Sequence, residues 1–301
     1  MVLVLSHDDC LSHVAPAGHP ECVDRLPAVR RGLAGLDLTF RDCPMGEIGD
    51  VLRAHPRAYA ERVRDAVPAG GMAMLDGDTF LSPGSWNAAM RAVGGACAAV
   101  DAVLAGEVQR AFVACRPPGH HAETARAMGF CLFGTIAIAA KRALDHHGLS
   151  RVAIVDFDVH HGNGTQDILW HEARCLFVSS HQMPLYPGSG ARDETGAHGQ
   201  ILNLPLRAGS DGAAMRAAYE TQVFPRLEAW QPELLLISAG FDAHAADPLA
   251  GLNWRAEDFG WLTRELVKRS GGRVVSTLEG GYDLDALAES VAAHALALKD
   301  G

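Results

Sequence analysis

Apolar positions along the chain fall into two rhythms. Short dense runs of Val, Leu, Ile and Ala bounded by turn residues read as buried strands at residues 2–5, 111–115, 151–156, 175–179, 234–238 and 273–277. Residues 38–43 read as an edge strand. Between them, helical spacing appears at 25–36 (Leu26, Val29, Leu33, Leu36), 57–67, 85–104, an Ala-rich stretch ending near His146-His147, 165–171, 211–230, 257–270 and 284–298. Residues 6–21 and 181–199, rich in Gly and Pro, read as long loops, and residues 76–79 as a turn. Strands alternating with helices predict an α/β fold, a parallel sheet covered on both faces. With no repeat, linker or low-complexity stretch, residues 1–301 read as a single domain.

Composition narrows the class. The chain is 48% hydrophobic and 21% charged, enough for a sizeable core. A formal charge of −10 opposes a nucleic-acid surface, yet an acidic field would attract a lysine side chain or a polyamine. Seven scattered cysteines without C-x-x-C point to reduced thiols in a cytoplasmic protein. The first residues lack the basic region of a signal peptide, and no apolar run is long enough for a membrane span. A homo-oligomer is compatible with all of this.

The polar residues are unevenly placed. Asp156, Asp158 and His160 follow one strand, His120-His121 another, Ser179 and His181 a third, Asp242 a fourth and Tyr282 a fifth. Parallel strands present these ends on one edge, where one crevice can collect them. A lone Asp or His there is a solvated loop residue; two of each after a buried strand, closed by Gly162 and Gly164, is a site. Asp158, His160 and Asp242 offer two oxygens and a nitrogen, a set for zinc that iron(II), cobalt or manganese would also accept. His120-His121, on a Pro-Pro-Gly turn, suits an acid–base pair, Asp156 would hold the ring of His120, and Tyr282 would donate to an oxyanion. His146-His147, at a helix end before Gly148, carries no catalytic role on this reading. His244 and Asp247 read as solvated loop residues.

The segments 116–122 (RPPGHHA), 129–131 (GFC), 156–166 (DFDVHHGNGTQ), 238–243 (SAGFDA) and 278–282 (LEGGY) together resemble the histone deacetylase family. The nearest branch is class II, with the bacterial deacetylase-like proteins and acetylpolyamine amidohydrolases, and the likeness runs over about residues 5–298. It implies the arginase/deacetylase fold around a parallel sheet of about eight strands. It also implies zinc on Asp158, His160 and Asp242, and hydrolysis of an acetyl or longer acyl amide on a lysine or polyamine chain. By position, His121 is the principal base and acid, His120 its electrostatic partner, and Asn163 the residue orienting His121. Phe130 and Tyr186 match the aromatic walls of an acyl-lysine tunnel, and Gly129 and Gly281 join the substrate contacts. Arg25 matches the arginine of an internal cavity, and Asp156, Asp158, His160, Ser179 and Ser180 fall where the family binds structural potassium.

Two positions bear on the substrate. Leu249 stands where the polyamine-selective class II member carries a glutamate, which favours acyl-lysine peptide or protein over acetylated polyamine. Gly84 replaces a substrate-contacting serine, leaving Asp76 or Asp78 as candidate anchors at the tunnel rim. A manganese ureohydrolase of the same fold would need more bridging carboxylates, and a non-catalytic acyl-lysine binder would lack Tyr282 or the double histidine.

Overall fold

The computed structural model describes residues 1–301. β1 (Val2–Ser6), α1 (Arg25–Leu33) and β2 (Thr39–Asp42) are followed by α2 (Ile48–Val51) and α3 (Arg57–Asp65). A small hairpin of β3 (Ala73–Met74) and β4 (Phe80–Leu81) precedes the long α4 (Ser85–Leu104). Then come β5 (Arg110–Val113), α5 (Thr135–Lys141), β6 (Val152–Asp156), α6 (Asn163–Leu169), β7 (Cys175–Gln182) and β8 (Ile201–Leu206). The chain ends in α7 (Gly212–Ala218), α8 (Phe224–Trp230), β9 (Leu234–Ala239), α9 (Ala256–Lys268), β10 (Val274–Leu278) and α10 (Leu284–Asp300).

Eight strands form one sheet in the order β2-β1-β5-β10-β9-β6-β7-β8, with every pairing parallel. The inner strands are apolar throughout because both faces are covered. Period-two alternation sends Val2, Val4, Val155 and Ile237 into a core with α1 and α7 to α10. Leu3, Leu5, Ile154 and Leu236 enter a second core, under α4 and α5. No helix is long and apolar enough to cross a membrane.

The structure departs from the sequence reading in identifiable places. β8 was hidden because Asn203 and Pro205 interrupt its apolar pattern; Pro is tolerated since β8 is an edge strand paired only to β7. β7 continues to Gln182, three residues beyond Ser179, so Ser180 and His181 belong to the strand and the following loop is shorter. The loop after β1 contains a short 3-10 turn, Asp8–Ser12. The helix expected over 211–230 is present but loosened by a π turn at Tyr219–Val223, just ahead of Pro225, which has no N–H to give the ladder.

Candidate active site

β6 ends at Asp156, and the bend beyond it carries Asp158 and His160 towards Asp242 from the turn after β9. One donor atom from each of Asp158, His160 and Asp242 lies within 4.8 Å of the others, and all three residues are buried. His160 Nδ1 is 3.1 Å from Asp158 Oδ1 and 3.1 Å from Asp242 Oδ2. Neither carboxylate pairs with Lys or Arg; their ion-pair partners are histidines. Buried carboxylates need such compensation, and it shows in the titration. Burial opposes charge on His160, but hydrogen bonds to Asp158 and Asp242 overcome it and push its pKa to about 10. Burial, then the Asp158 charge, pushes Asp242 up to about 7. A divalent cation would replace the proton shared here, and two oxygens with one imidazole nitrogen fit zinc, iron(II), cobalt or manganese.

Backbone N–H groups aim these ligands. Gly280 N donates to Asp158 Oδ2 (2.8 Å), His160 N to Asp158 Oδ1 (2.9 Å) and Val159 N to Asp242 Oδ1 (2.8 Å). The approach requires glycine: a Cβ on Gly240 would enter the Asp158 carboxylate, and one on Gly280 would collide with both Asp158 and Asp242.

The double histidine stands on the turn after β5. Glu279 Oε2 accepts from Gly119 N (2.7 Å) and His120 N (3.1 Å), fixing that turn from below. His120 Nδ1 is 3.0 Å from Asp156 Oδ2, and His121 Nδ1 is 2.7 Å from Asn163 Oδ1. Asn163 Nδ2 donates to Glu123 Oε1 (2.8 Å), which sets the amide orientation. His121 therefore donates from Nδ1 and keeps a lone pair on Nε2. The two rings lie 4.0 Å apart and are driven in opposite senses. Burial opposes charge on His120, but Asp158 and Asp156 hold its pKa well above the usual range. Burial, then the neighbouring His120 and His160, drive His121 well below it.

A cavity of about 200 Å³ leads to these groups. Phe130, Tyr186, Leu185 and Leu249 wall it, His121, His160 and Tyr282 lie at its inner end, and Gly129 and Asp78 complete it. Gly129 has φ +55°, and a Cβ there would enter the His121 ring. Phe130 has φ 68°, a strained value for an aromatic residue. Gly129 N donates to Asp78 Oδ1 (3.2 Å), Phe130 N donates to Thr79 Oγ1 (3.1 Å), and the His19 ring meets the Phe130 ring at 4.7 Å. Openings of about 470 and 490 Å³ lie elsewhere, at the β1–β2 edge and between the α2 segment and α4. They are larger, but it is the smaller one that His160 of the triad and His121 of the histidine pair border.

Arg25 lies behind the inner end, fully buried, with its guanidinium carbon 4.9 Å from the centre of the Tyr282 ring. It donates to Gly281 O (2.7 Å), Glu279 O (2.5 Å) and Glu21 Oε1 (3.2 Å). Glu21 also accepts from Arg116, and although burial opposes its ionisation, Arg116 and His13 hold its pKa below the usual carboxylate range. Burial raises the Tyr282 pKa well above its ordinary value, so the phenol stays protonated.

Most of the sequence-derived site residues converge. Gly281 is not among the residues lining the cavity; its carbonyl accepts from Arg25 Nε. Asp247, read as solvated, is buried and accepts from Leu249 N, Tyr282 N and Asp283 N. Ser179 sits beside Asp156 in the sheet register, its hydroxyl 3.0 Å from His181 Nδ1, while the Ser180 hydroxyl is 2.7 Å from Tyr219 OH. His147 pairs with Asp101 near the helix end, away from the cavity. Glu279, Leu185 and Glu21 also contribute, and as lone acids and a leucine they carry no spacing signal of their own in the sequence.

A family model described as "Histone deacetylase domain" matches residues 19–298. A histone deacetylase-like amidohydrolase of Pseudomonas aeruginosa is 42% identical over 281 residues, covering 89% of this chain and 73% of that protein. Histone deacetylase 14, chloroplastic, of Arabidopsis thaliana is 37% identical, covering 96% of this chain and 75% of that one. The crystal structure of the HDA15 HD domain superposes with a TM-score of 0.95 at 32% identity, covering 99% of this chain and 91% of that chain.

Proposed function

The chain belongs to the histone deacetylase domain family, and on that premise we propose that it is a zinc-dependent amidohydrolase that removes acetyl, or another acyl group, from lysine side chains. The observation that carries the reading is a narrow aromatic-walled cavity ending at both the Asp158–His160–Asp242 triad and His121. Bound zinc would polarise the amide carbonyl and acidify water.

The protein's own groups do the rest. Phe130 and Tyr186 flank an alkyl chain and exclude water around it. His121 Nε2 takes the proton of the attacking water and delivers it to the leaving amine nitrogen. His120, held by Asp156, keeps a positive charge beside the developing negative charge. Tyr282 donates its hydroxyl proton in a hydrogen bond to the carbonyl oxygen as that oxygen becomes anionic. Arg25 steadies the Glu279–Tyr282 strand end from behind. Potassium near Asp156 and Ser179 is the family expectation; the Ser179 hydroxyl lies 3.0 Å from His181 Nδ1 and the Ser180 hydroxyl 2.7 Å from Tyr219 OH.

Leu249 favours acyl-lysine, since its side chain offers no partner to a second ammonium along the substrate. A second reading, deacetylation of acetylated polyamines, is favoured by the Asp78 carboxylate bordering the cavity. Turnover of the zinc-loaded protein on an acetyl-lysine peptide and an acetylated polyamine, side by side, separates the two. The account predicts a clear preference for the peptide; preference for the polyamine would overturn the lysine assignment while keeping the chemistry.

A further inference from the structure

Asp247 lies five positions beyond Asp242 and is 7% exposed. Its carboxylate has no Arg, Lys or His partner; it is held by three backbone N–H groups alone. Tyr282 N donates to Oδ2 at 2.7 Å, Asp283 N to the same oxygen at 3.4 Å, and Leu249 N to Oδ1 at 3.0 Å. An anion taken out of water without a counter-charge is disfavoured unless its hydrogen bonds compensate, so these contacts fix where the carboxylate sits. They also fix something else. Leu249 is on the cavity wall and Tyr282 at its inner end, so one buried carboxylate ties the wall to the inner end.

We propose that Asp247 is a positioning residue for the reaction: it sets the direction of Tyr282 over the triad and holds Leu249 in register with it. The inference rests on reading Tyr282 as the donor to the substrate carbonyl. A purely structural account would make Asp247 an anion at the start of α10. That helix already has its own cap, since Asp283 accepts from Ala286 N at 2.9 Å. The shortest contact of Asp247 is to the residue bearing the phenol, ahead of that cap. Arg25 grips the same segment through Glu279 O and Gly281 O. Tyr282 thus has Arg25 at 4.9 Å from its ring centre and Asp247 on its backbone N–H.

The test is a double-mutant cycle on the zinc-loaded protein, with zinc content, kcat and KM measured for Asp247→Ala, Tyr282→Phe and the double variant. Asp247→Ala should retain zinc and lose about 10- to 10²-fold in kcat, the scale of a small misplacement of a reacting group. KM for the peptide should rise as the Leu249 wall loosens. In the Tyr282→Phe background the same change should cost no further kcat, because the group it positions is gone. Wild-type kcat in Asp247→Ala, or losses that multiply in the double variant, would overturn the proposal. If Asp247→Ala does not fold, Asp247→Asn, which keeps one acceptor oxygen, replaces it in the same cycle with the same expectation. Wild-type turnover in Tyr282→Phe alone would overturn the reading of Tyr282, and this inference with it; that result appears in the single variant and is therefore distinguishable.

Discussion

Asp158, His160 and Asp242 were legible because chemistry constrains residue type and topology constrains place: each follows a buried strand, and parallel strands bring those ends together. Leu249 offers a test at this scale. A carboxylate introduced by Leu249→Glu would face the cavity and pair with a second ammonium along the substrate. A partly exposed pair is worth about 1 kcal/mol, so the ratio of kcat/KM values should move roughly fivefold towards acetylated polyamine. An unchanged ratio would remove Leu249 from selectivity. Asp247 shows the limit of such reading: in the sequence it is an aspartate before a proline, and only the fold reveals that α10 begins against it. Gly281 shows the reverse, a motif residue whose observed contact is its carbonyl accepting from the buried Arg25.

Elements were legible where one periodicity ran uninterrupted. α4 appears over the predicted residues, and β6 and β9 read as buried because every position in them is apolar or buried. β8 was missed because strand evidence there comes from pairing with β7, not from its own composition. The turns after β9 and β10 do the finest positioning, through glycines that let backbone reach the carboxylates. Gly280→Ala should therefore destabilise by about 1–3 kcal/mol through overpacking. It should also weaken metal binding by displacing Asp158 and Asp242. A denaturation midpoint and a zinc titration check both; an unchanged zinc affinity would show that the ligands tolerate the extra methyl.

Across the whole molecule, buried neutral histidines lose stability to acid, while the buried carboxyls of Asp242, Glu279 and Asp156, raised by burial to about 7, 7 and 6, act in the opposite sense. Burial lowers His55 to about 4 and His294 to about 3. His294 is closed in by Thr263 and Ser276, both hydrogen-bonded to its ring, and by three phenylalanines. The unfolded chain takes up protons near pH 6.5, whereas the folded chain refuses them until far lower. Stability from these groups is thus fully present above pH 6.5 and is lost as pH falls through 4 towards 3. His181, lowered by burial to about 4, adds in the same sense. The urea midpoint of the wild type relative to that of His294→Gln, which removes the lowered ring of His294, should therefore fall steadily from pH 7 to pH 4. A constant difference between the two over that range would show that the His294 ring takes up its proton in the folded protein as readily as in the unfolded chain.

The whole account turns on a single cation held by three side chains at the inner end of the cavity. The most direct measurement is metal content and acetyl-lysine peptide turnover on one preparation: as purified, after chelation, and after one equivalent of zinc is returned, with Asp242→Ala treated alongside. The account predicts that chelation abolishes turnover, that zinc restores it, and that Asp242→Ala holds no metal and stays inactive. Turnover that survives complete metal removal, or normal zinc content in Asp242→Ala, would contradict it.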